Sequence, residues 1–148
     1  MGWQDRFTVI PAVYLILRRG DQVLLMRRCN TGYQDGKYSL PAGHLDGDES
    51  ASAAMVREAK EEAGITVAPD DLTLVHTMHR RAEEGTHERM DLFFEAIVWQ
   101  GEPQVTEPDK CDDAQWFDAV KLPDNTVEVV VQALRAVANH EPYSECGF

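Results

Sequence analysis

The sequence predicts an α/β (α+β) fold, an α/β/α sandwich in which a central mixed β-sheet lies between helices. Two observations lead to this prediction. Apolar, strand-like segments precede and follow a stretch of helical composition at residues 50–64, and a second helical pattern occupies residues 125–140. The 148 residues are 43% apolar and 27% charged, which suits one domain with its own core, so we expect a single domain over residues 1–148.

Each element is indicated by a local pattern. Apolar segments at 7–17 and 23–28, joined by a glycine-containing turn, predict two strands, and the polar, glycine-rich residues 30–49 predict irregular structure. Asp48 or Ser50 can cap the first helix, and Gly64 is placed to end it. Strand patterns recur at 71–81, 89–101 and 112–123, whereas the tail at 141–148 shows no clear pattern. The apolar sides of the two helices comprise Ser52, Val56, Ala59 and Ala63, then Val127, Val131, Leu134 and Ala138.

Charge and cysteine content exclude several classes of protein. The net charge is -12, from 26 acidic and 14 basic residues, so long nucleic acid is an unfavourable partner. A small phosphorylated ligand is compatible with this charge if divalent cations mediate the contact. No apolar run approaches the roughly 20 residues of a membrane span. The three cysteines, an odd number without CxxC spacing, favour a reducing cytoplasm over disulfides or a zinc site.

The first predicted helix carries an unusual concentration of acid. "REAKEEAG", Arg57 to Gly64, holds Glu58, Glu61 and Glu62, which fall on one side at roughly 100° per residue. Acids opposite an apolar face are ordinary for any solvated helix. However, like charges at the (i, i+4) positions Glu58 and Glu62 oppose helix formation, and clustered carboxylates are ligands for Mg²⁺ or Mn²⁺. The helix alone leaves both interpretations open.

The segment upstream of these acids completes a longer pattern. From Gly43 to Ile65 the chain has glycine, five residues, Glu49, seven residues, Arg57-Glu58, two residues, two glutamates, one residue, glycine and an apolar residue. This pattern resembles the Nudix box, the signature of the Nudix hydrolases. The order of elements outside the box is similar to that of the family. The resemblance implies the Nudix fold and Mg²⁺-dependent hydrolysis of a phosphoanhydride bond, with Mn²⁺ as an alternative ion.

The resemblance also implies roles for individual residues. Glu58, Glu61 and Glu62 are expected to hold cations over a diphosphate, with the backbone carbonyl of Gly43 as a further ligand and its glycine allowing a tight turn. Arg57 and Glu49 are expected to form a structural ion pair that fixes the loop against the helix. An ordinary (i, i+4) pair between Arg57 and Glu61 is the alternative, and both contacts can coexist. The predicted catalytic set is therefore Arg57, Glu58, Glu61 and Glu62.

The identity of the general base is not fixed by the sequence, since both the box and the later loops contain candidates. Glu61 is the candidate within the box. Glu107 is the loop acid that we favour as an additional metal ligand or base. Glu83, Glu84 and Glu88 are further loop candidates, and for each of these acids a solvated side chain is the alternative.

The box predicts the reaction but not the substrate. The context "PAGHLDGDE", with "EPDKC" before "WFD", is similar to the MutT-like branch, which implies cleavage of a nucleoside triphosphate to the monophosphate and pyrophosphate. The predicted substrate-binding residues are Arg27, Arg28, Tyr38, His44, Trp116, Asp124 and Asn125, with Tyr33 and Phe117 as further candidates. Ordinary structural roles compete for most of them, namely packing for the aromatic side chains, pairing with acids for the arginines, and capping of the last helix by Asp124 or Asn125.

Alternative functions fall into two classes. Within the same chemistry, the substrate can be ADP-ribose, a nucleotide sugar or a dinucleoside polyphosphate, while triphosphorylated RNA is disfavoured by the excess of acid. In the other class, a non-catalytic Nudix module senses a nucleotide. Such modules typically lose box carboxylates, and this chain keeps all of them. The expected partner is a small nucleotide, and a monomer and a homodimer both remain open.

Overall fold

The computed structural model describes residues 2–148, in which eight strands and two α-helices confirm the predicted α+β class. The strands are β1 (Ile10–Arg19), β2 (Gln22–Arg28), β3 (Tyr38–Ser39), β4 (Ala42–His44), β5 (Thr73–Arg80), β6 (Arg89–Ala96), β7 (Cys111–Asp118) and β8 (Tyr143–Cys146). The helices are α1 (Ala51–Ala63) and α2 (Glu128–Ala138).

Strand β1 lies at the centre of the mixed sheet. It pairs in parallel with β6, from Ile10 opposite Arg89 to Leu17 opposite Ala96, and antiparallel with β4 and β2. Beyond β6 lie β5, which is antiparallel to it, and β8, which is parallel to β5. On the other side, β2 pairs with β3 and β7. The predicted mixture of strand directions is therefore present.

The central strand is buried on both faces because a helix packs on each side of it. Val13, Leu15 and Leu17 pack in one apolar cluster with α1. Their neighbours Tyr14 and Ile16 point to the opposite face and join the cluster that contains α2. A strand covered on both faces reads as a continuous apolar run, which explains "VYLIL" in the sequence.

Helix α1 begins and ends where the sequence predicts. The Ser50 hydroxyl accepts a hydrogen bond from the Ala53 amide at 3.1 Å, and Gly64 ends the helix with a φ of +70°. The buried face differs from the prediction, since Met55 is fully buried and Val56 is not. Met55 has the longest apolar side chain in the first two turns, and it fills the space against the sheet.

Other predicted elements shift as well. The tail forms β8, and two short strands, β3 and β4, lie within segments predicted to be irregular. Helix α2 begins at Glu128 with Val127 at its cap position, so neither Asp124 nor Asn125 caps it. Its buried face contains Leu134, whereas Ala138 is exposed in its last turn.

Candidate active site

Gly43 is required because the Glu58 side chain lies directly against it. A Cβ atom added to Gly43 would stand 2.2 Å from both Cδ and Oε1 of Glu58. Gly43 lies within β4 and has no positive φ, so the predicted tight turn is not the reason for a glycine here. The close approach of strand and helix places the Glu58 carboxyl beside the β4 backbone.

Glu62 points to the same strand one turn further along α1. Its Oε2 accepts a hydrogen bond from the Ala42 amide at 2.9 Å. Burial raises the pKa of Glu62 to about 8, with contributions from the negative charges of Glu58 and Glu107, while the Ala42 hydrogen bond opposes the shift. Burial also raises the pKa of Glu58 against the opposing effect of Arg57. Two partly desolvated carboxyls therefore lie side by side.

Arg57 connects the box loop to the acidic side of α1. Its guanidinium donates to both carboxylate oxygens of Glu49, at 2.8 and 3.1 Å, and to Glu58 Oε1 at 2.8 Å. Weaker contacts reach Glu61 Oε2 at 3.4 Å and the His44 carbonyl at 3.2 Å. The Glu49 ion pair and the alternative Glu61 contact therefore coexist. Hydrogen bonding to Arg57 lowers the pKa of Glu49, which keeps this carboxyl ionised.

The remaining acids differ in how close they lie to this centre. Glu61 is the most exposed of the box glutamates, with 54% of its side chain accessible. The Thr106 hydroxyl donates to the Glu61 carbonyl, which holds the following loop against the end of α1. As a result, Glu107 lines a small cleft together with Glu62, Arg27 and Arg28.

The acids of the later loop are more scattered. Glu88 pairs with His79 at 2.5 Å, and Glu84 is exposed. Glu83 lies on the wall of the large cavity described below. Glu107 and Glu83 are therefore the predicted loop acids that share a cleft with Glu62, Glu107 in the small cleft and Glu83 in the large cavity.

The carboxylates of Glu58, Glu61 and Glu62 are suitable ligands for a hard divalent cation, although Glu58 and Glu62 make hydrogen bonds with other groups of the protein. Across residues 2–148, no group of three or more acidic, histidine or cysteine side chains is arranged to hold one ion. Glu58 contacts Arg57, and Glu62 contacts the Ala42 amide. Buried carboxyls with raised pKa values would be stabilised as anions by a nearby cation, and carboxylate oxygens are ligands of Mg²⁺ and Mn²⁺. Glu58, Glu61 and Glu62 are the residues that would hold it.

A cavity of about 620 Å³ opens beside these carboxylates. Six of the predicted residues line it, namely Arg28, Tyr33, Gly43, His44, Glu62 and Glu83. Burial and the nearby Arg89 lower the pKa of His44, so its imidazole is neutral at pH 7. The cavity has the size of a small-ligand pocket.

Two other predicted residues lie beneath the loop that precedes the box. Tyr38 is only 6% exposed, its hydroxyl donates to Asp113, and its ring packs edge-on against Phe117 with the centroids 4.9 Å apart. Tyr38 therefore has a packing role and no open face for a base. Arg27 donates to Asp112 at 2.7 Å, and its guanidinium lies 5.6 Å from the centre of the Tyr38 ring.

The residues predicted near the last helix are also not brought into the large cavity. Trp116 stacks on Trp99, with centroids 5.8 Å apart, and Arg19 covers its ring at 4.3 Å. The Asn125 amide donates to the Gly36 carbonyl at 3.0 Å, and Asp124 is exposed. Trp116 packs in the α1-side cluster, and Phe117 in the cluster on the α2 side.

Sequence reasoning missed a charged cluster on the wall of the cavity. Asp91 is fully buried, and it pairs with Arg80 at 2.5 Å and with Arg89 at 3.5 Å. The Tyr14 hydroxyl contacts both arginines. The available signal was Asp91 itself, a carboxylate within the apolar strand "RMDLFF". A charge at such a position requires a partner in the fold.

The fold and the site together define an α+β protein with a carboxylate-bearing helix beside a cavity. The chain belongs to the Nudix family, since the model of the NUDIX domain matches residues 8–137. This match confirms the predicted family. No helix among residues 2–148 has the length and apolar character of a membrane span.

Two curated relatives are proteins named NAD-capped RNA hydrolase NudC. The one from Pseudomonas aeruginosa (strain LESB58) is 34% identical over 130 residues, which is 88% of this chain and 41% of that protein. The one from Pseudomonas entomophila (strain L48) is 35% identical over 115 residues, covering 78% and 38%. The chain thus spans about two fifths of the length of these relatives.

Solved structures of similar fold carry MutT names. A crystal structure of a MutT NUDIX hydrolase from Burkholderia pseudomallei has a TM-score of 0.79 at 25% identity, covering 87% of this chain and 98% of that one. A MutT protein from Methanosarcina mazei Go1 has a TM-score of 0.76 at 20% identity, covering 88% and 94%. The second similarity shows the shared fold alone.

Proposed function

We propose that this chain hydrolyses a phosphoanhydride bond of a nucleoside diphosphate linked to a second group, with Mg²⁺ or Mn²⁺ at α1. The observation that supports this proposal is the position of Glu62. Its carboxyl lies beside Glu58 and also lines the 620 Å³ cavity, so a ligand in the cavity can reach the box carboxylates. The substrate that we favour is a nucleoside triphosphate, cleaved to the monophosphate and pyrophosphate.

The chain's own residues have separable tasks in this reaction. A bound cation would neutralise phosphate oxygens and lower the pKa of a water molecule. Arg57 fixes Glu58 and the box loop through its contacts with Glu49. Glu61 and Glu107, with 54% and 38% of their side chains exposed, are the candidates to accept a proton as water adds to phosphorus and the bridging oxygen leaves.

A second candidate substrate is a dinucleotide of the NAD type. The 34% identity with a protein named NAD-capped RNA hydrolase NudC favours this candidate. The capped RNA itself is a less favourable partner for a chain with a net charge of -12. Arg18 and Arg19, at the end of β1, already pair with Glu95 and Glu102. These two arginines therefore contribute little positive surface for binding RNA.

The test is product release from a substrate panel with Mg²⁺, with EDTA, and with EDTA followed by excess Mg²⁺. The panel contains nucleoside triphosphates, NAD, ADP-ribose, a nucleotide sugar and a dinucleoside polyphosphate. Glu61→Gln removes one carboxylate of α1, and Glu102→Gln is the matched control because Glu102 lies on the surface, paired with Arg19.

We expect one substrate class to turn over only with metal, with a loss of at least about 10²-fold in Glu61→Gln and none in Glu102→Gln. Nucleotide binding without turnover of any substrate would contradict the proposal and support a sensing module. Turnover that persists in EDTA would contradict the metal site.

A further inference from the structure

The charged cluster on the cavity wall stands apart from the box carboxylates. Across the sheet the strands follow the order β4, β1, β6, β5, so Gly43 on β4 and Arg80 on β5 are three strand spacings apart. The strand register adds an offset of three residues, from Val13 opposite Gly43 to Ile10 opposite Arg89, so the separation is roughly 17 Å at about 4.8 Å per strand and about 3.3 Å per residue. Both residues line the same cavity. A ligand whose phosphates lie at Gly43 and Glu62 can therefore extend towards Arg80 and Arg89.

The two arginines are held from behind. Asp91 has no solvent exposure, and its two oxygens face Nε of Arg80 at 2.5 Å and Nε of Arg89 at 3.5 Å. The Tyr14 hydroxyl accepts from Nη2 of both arginines, at 3.2 and 3.3 Å. These contacts fix both guanidinium groups while Arg80 and Arg89 remain part of the cavity wall.

This part of the wall is rich in donors. Two guanidinium groups stand against one carboxylate, and each guanidinium has five N–H donors and no acceptor. Burial and the charge of Asp91 raise the pKa of Tyr14, so the phenol contributes no negative charge. A ligand group that meets this wall must supply hydrogen-bond acceptors, because a donor would be left without a partner.

The surrounding wall suits a flat, partly apolar group better than a phosphate. Ile10, Val127 and Val129 line the cavity, and the Tyr33 ring, 41% exposed, lies over Arg28 with 5.6 Å between the guanidinium and the ring centre. Apolar and aromatic surface of this kind accepts a nucleobase by stacking. The phosphates of the same ligand have the box carboxylates and their cation as partners.

We propose that Arg80 and Arg89 select a nucleobase that presents two neighbouring acceptors, O6 and N7 of guanine or O2 and N3 of cytosine. Adenine places the N6 amino donor beside its N7 acceptor and has no such pair, so it is rejected, and the adenine-containing NAD-type candidate is disfavoured with it. This inference rests on the proposed function for the position of the phosphates. It assigns Arg80 and Arg89 as specificity-determining residues of the hydrolase.

Binding of GMP, CMP and AMP in EDTA, measured by isothermal titration, tests the selection without relying on hydrolysis. The three ligands carry the same phosphate, so their affinity ratios report the base. Arg89→Lys and Arg80→Lys keep the charge and remove the planar fork. Arg18→Lys is the matched control, since Arg18 pairs with Glu95 and is not part of this cavity wall. Thermal unfolding shows which of the lysine variants fold, and one folded lysine variant is enough to test the base preference.

We expect wild type and Arg18→Lys to bind GMP or CMP at least about tenfold more tightly than AMP. In the lysine variants this ratio should fall to within about twofold. Equal or tighter binding of AMP to wild type, no binding of any of the three at millimolar concentration, or an unchanged ratio in the lysine variants would overturn the inference. If the wild-type protein binds all three nucleotides equally and inorganic phosphate displaces GMP, the cavity holds an anion site. This outcome would also overturn the inference.

The same measurements separate the two proposals. A base preference in EDTA without any turnover in Mg²⁺ would overturn the proposed hydrolysis and leave the base selection intact. Turnover in Mg²⁺ without a base preference in EDTA would overturn the base selection and leave the proposed hydrolysis intact.

Discussion

Substituting Gly43 by alanine tests whether the close approach of β4 to Glu58 builds the cation site. The new Cβ atom would lie 2.2 Å from Cδ and Oε1 of Glu58 and 2.7 Å from its Cγ. Favourable contacts between carbon atoms begin at about 3.5 Å, so the Glu58 carboxyl must move by more than about 1 Å. The obstacle is the end of a flexible side chain, and Gly43 has no positive φ, so no backbone strain is added.

The expected result is a separation of stability from activity. Rotation of Glu58 into another rotamer costs about 1 kcal/mol, and loss of its contact with Arg57 costs up to about 1 kcal/mol more, so the free energy of unfolding should fall by no more than about 2 kcal/mol. Displacement of a positioning group by about 1 Å can cost about 10²-fold in rate, so kcat/KM should fall by this order. The affinity for Mn²⁺ should fall with it, because Glu58 is a predicted ligand.

The assays are urea unfolding in EDTA, Mn²⁺ titration, and kcat/KM for the best substrate of the panel. A double-mutant cycle with Glu58→Ala identifies the cause, because alanine at position 58 removes the group that the new Cβ would strike. The double variant should then match Glu58→Ala within about twofold. Full activity of Gly43→Ala, or losses that multiply in the double variant, would refute the reasoning.

Three further variants address other parts of the site. Glu62→Gln should lower kcat/KM by at least about 10²-fold. It should unfold in EDTA at the same or a higher temperature, because burial disfavours the carboxylate form of Glu62, and a lower melting temperature would contradict this reasoning. Glu107→Gln should lower kcat while nucleotide binding in EDTA is unchanged, and an unchanged rate and metal dependence would remove Glu107 from the mechanism. Trp116→Ala should lower the free energy of unfolding by about 2 kcal/mol without weakening nucleotide binding, because Trp116 packs on Trp99; weakened binding at unchanged stability would restore the predicted substrate contact.

The local part of the site could be predicted from the sequence. Ser50 caps α1, Gly64 ends it, and Arg57 pairs with Glu49 eight residues away. A pattern of residue types is sufficient for the two helix ends, while the Arg57–Glu49 pair is expected from the resemblance to the Nudix box, because Glu49 lies in the loop before the helix. The reason for Gly43 could not be found in this way. Its requirement comes from the distance between β4 and Glu58, which depends on how closely strand and helix pack.

The distant part of the site depends on strand pairing that the sequence does not reveal. Arg80 and Arg89 meet Asp91 and Tyr14 only because β1 pairs with β6 and β6 with β5. Trp116 and Tyr38 lie outside the large cavity for a related reason. Trp116 and Tyr38 lie on strands near the box, and alternation alone cannot tell which side of the sheet faces a ligand and which faces a helix.

Strand β8 shows how a weak pattern can still form a defined element. Its four residues alternate between exposed and half-buried, which is too short a pattern to stand out in the tail. The buried His76 supports this segment, with its ring nitrogens 2.8 Å from the Glu141 carbonyl and 2.7 Å from the Ser144 hydroxyl. Cys146 and Gly147 then contribute to the cavity wall.

The contrast between local and distant contacts has a consequence for the order of folding. The carboxylate partners of Arg57 on α1 and in the box loop lie at most eleven residues from it, while the pairing of β1 with β6 brings Ile10 to Arg89 across most of the chain. Contacts between near neighbours close quickly, and pairing between distant segments is slow. We therefore expect amide protons of α1 to gain protection from hydrogen exchange earlier in refolding than those of β1 and β6. The carboxylate helix would then form before the wall that contains Arg80 and Arg89 exists.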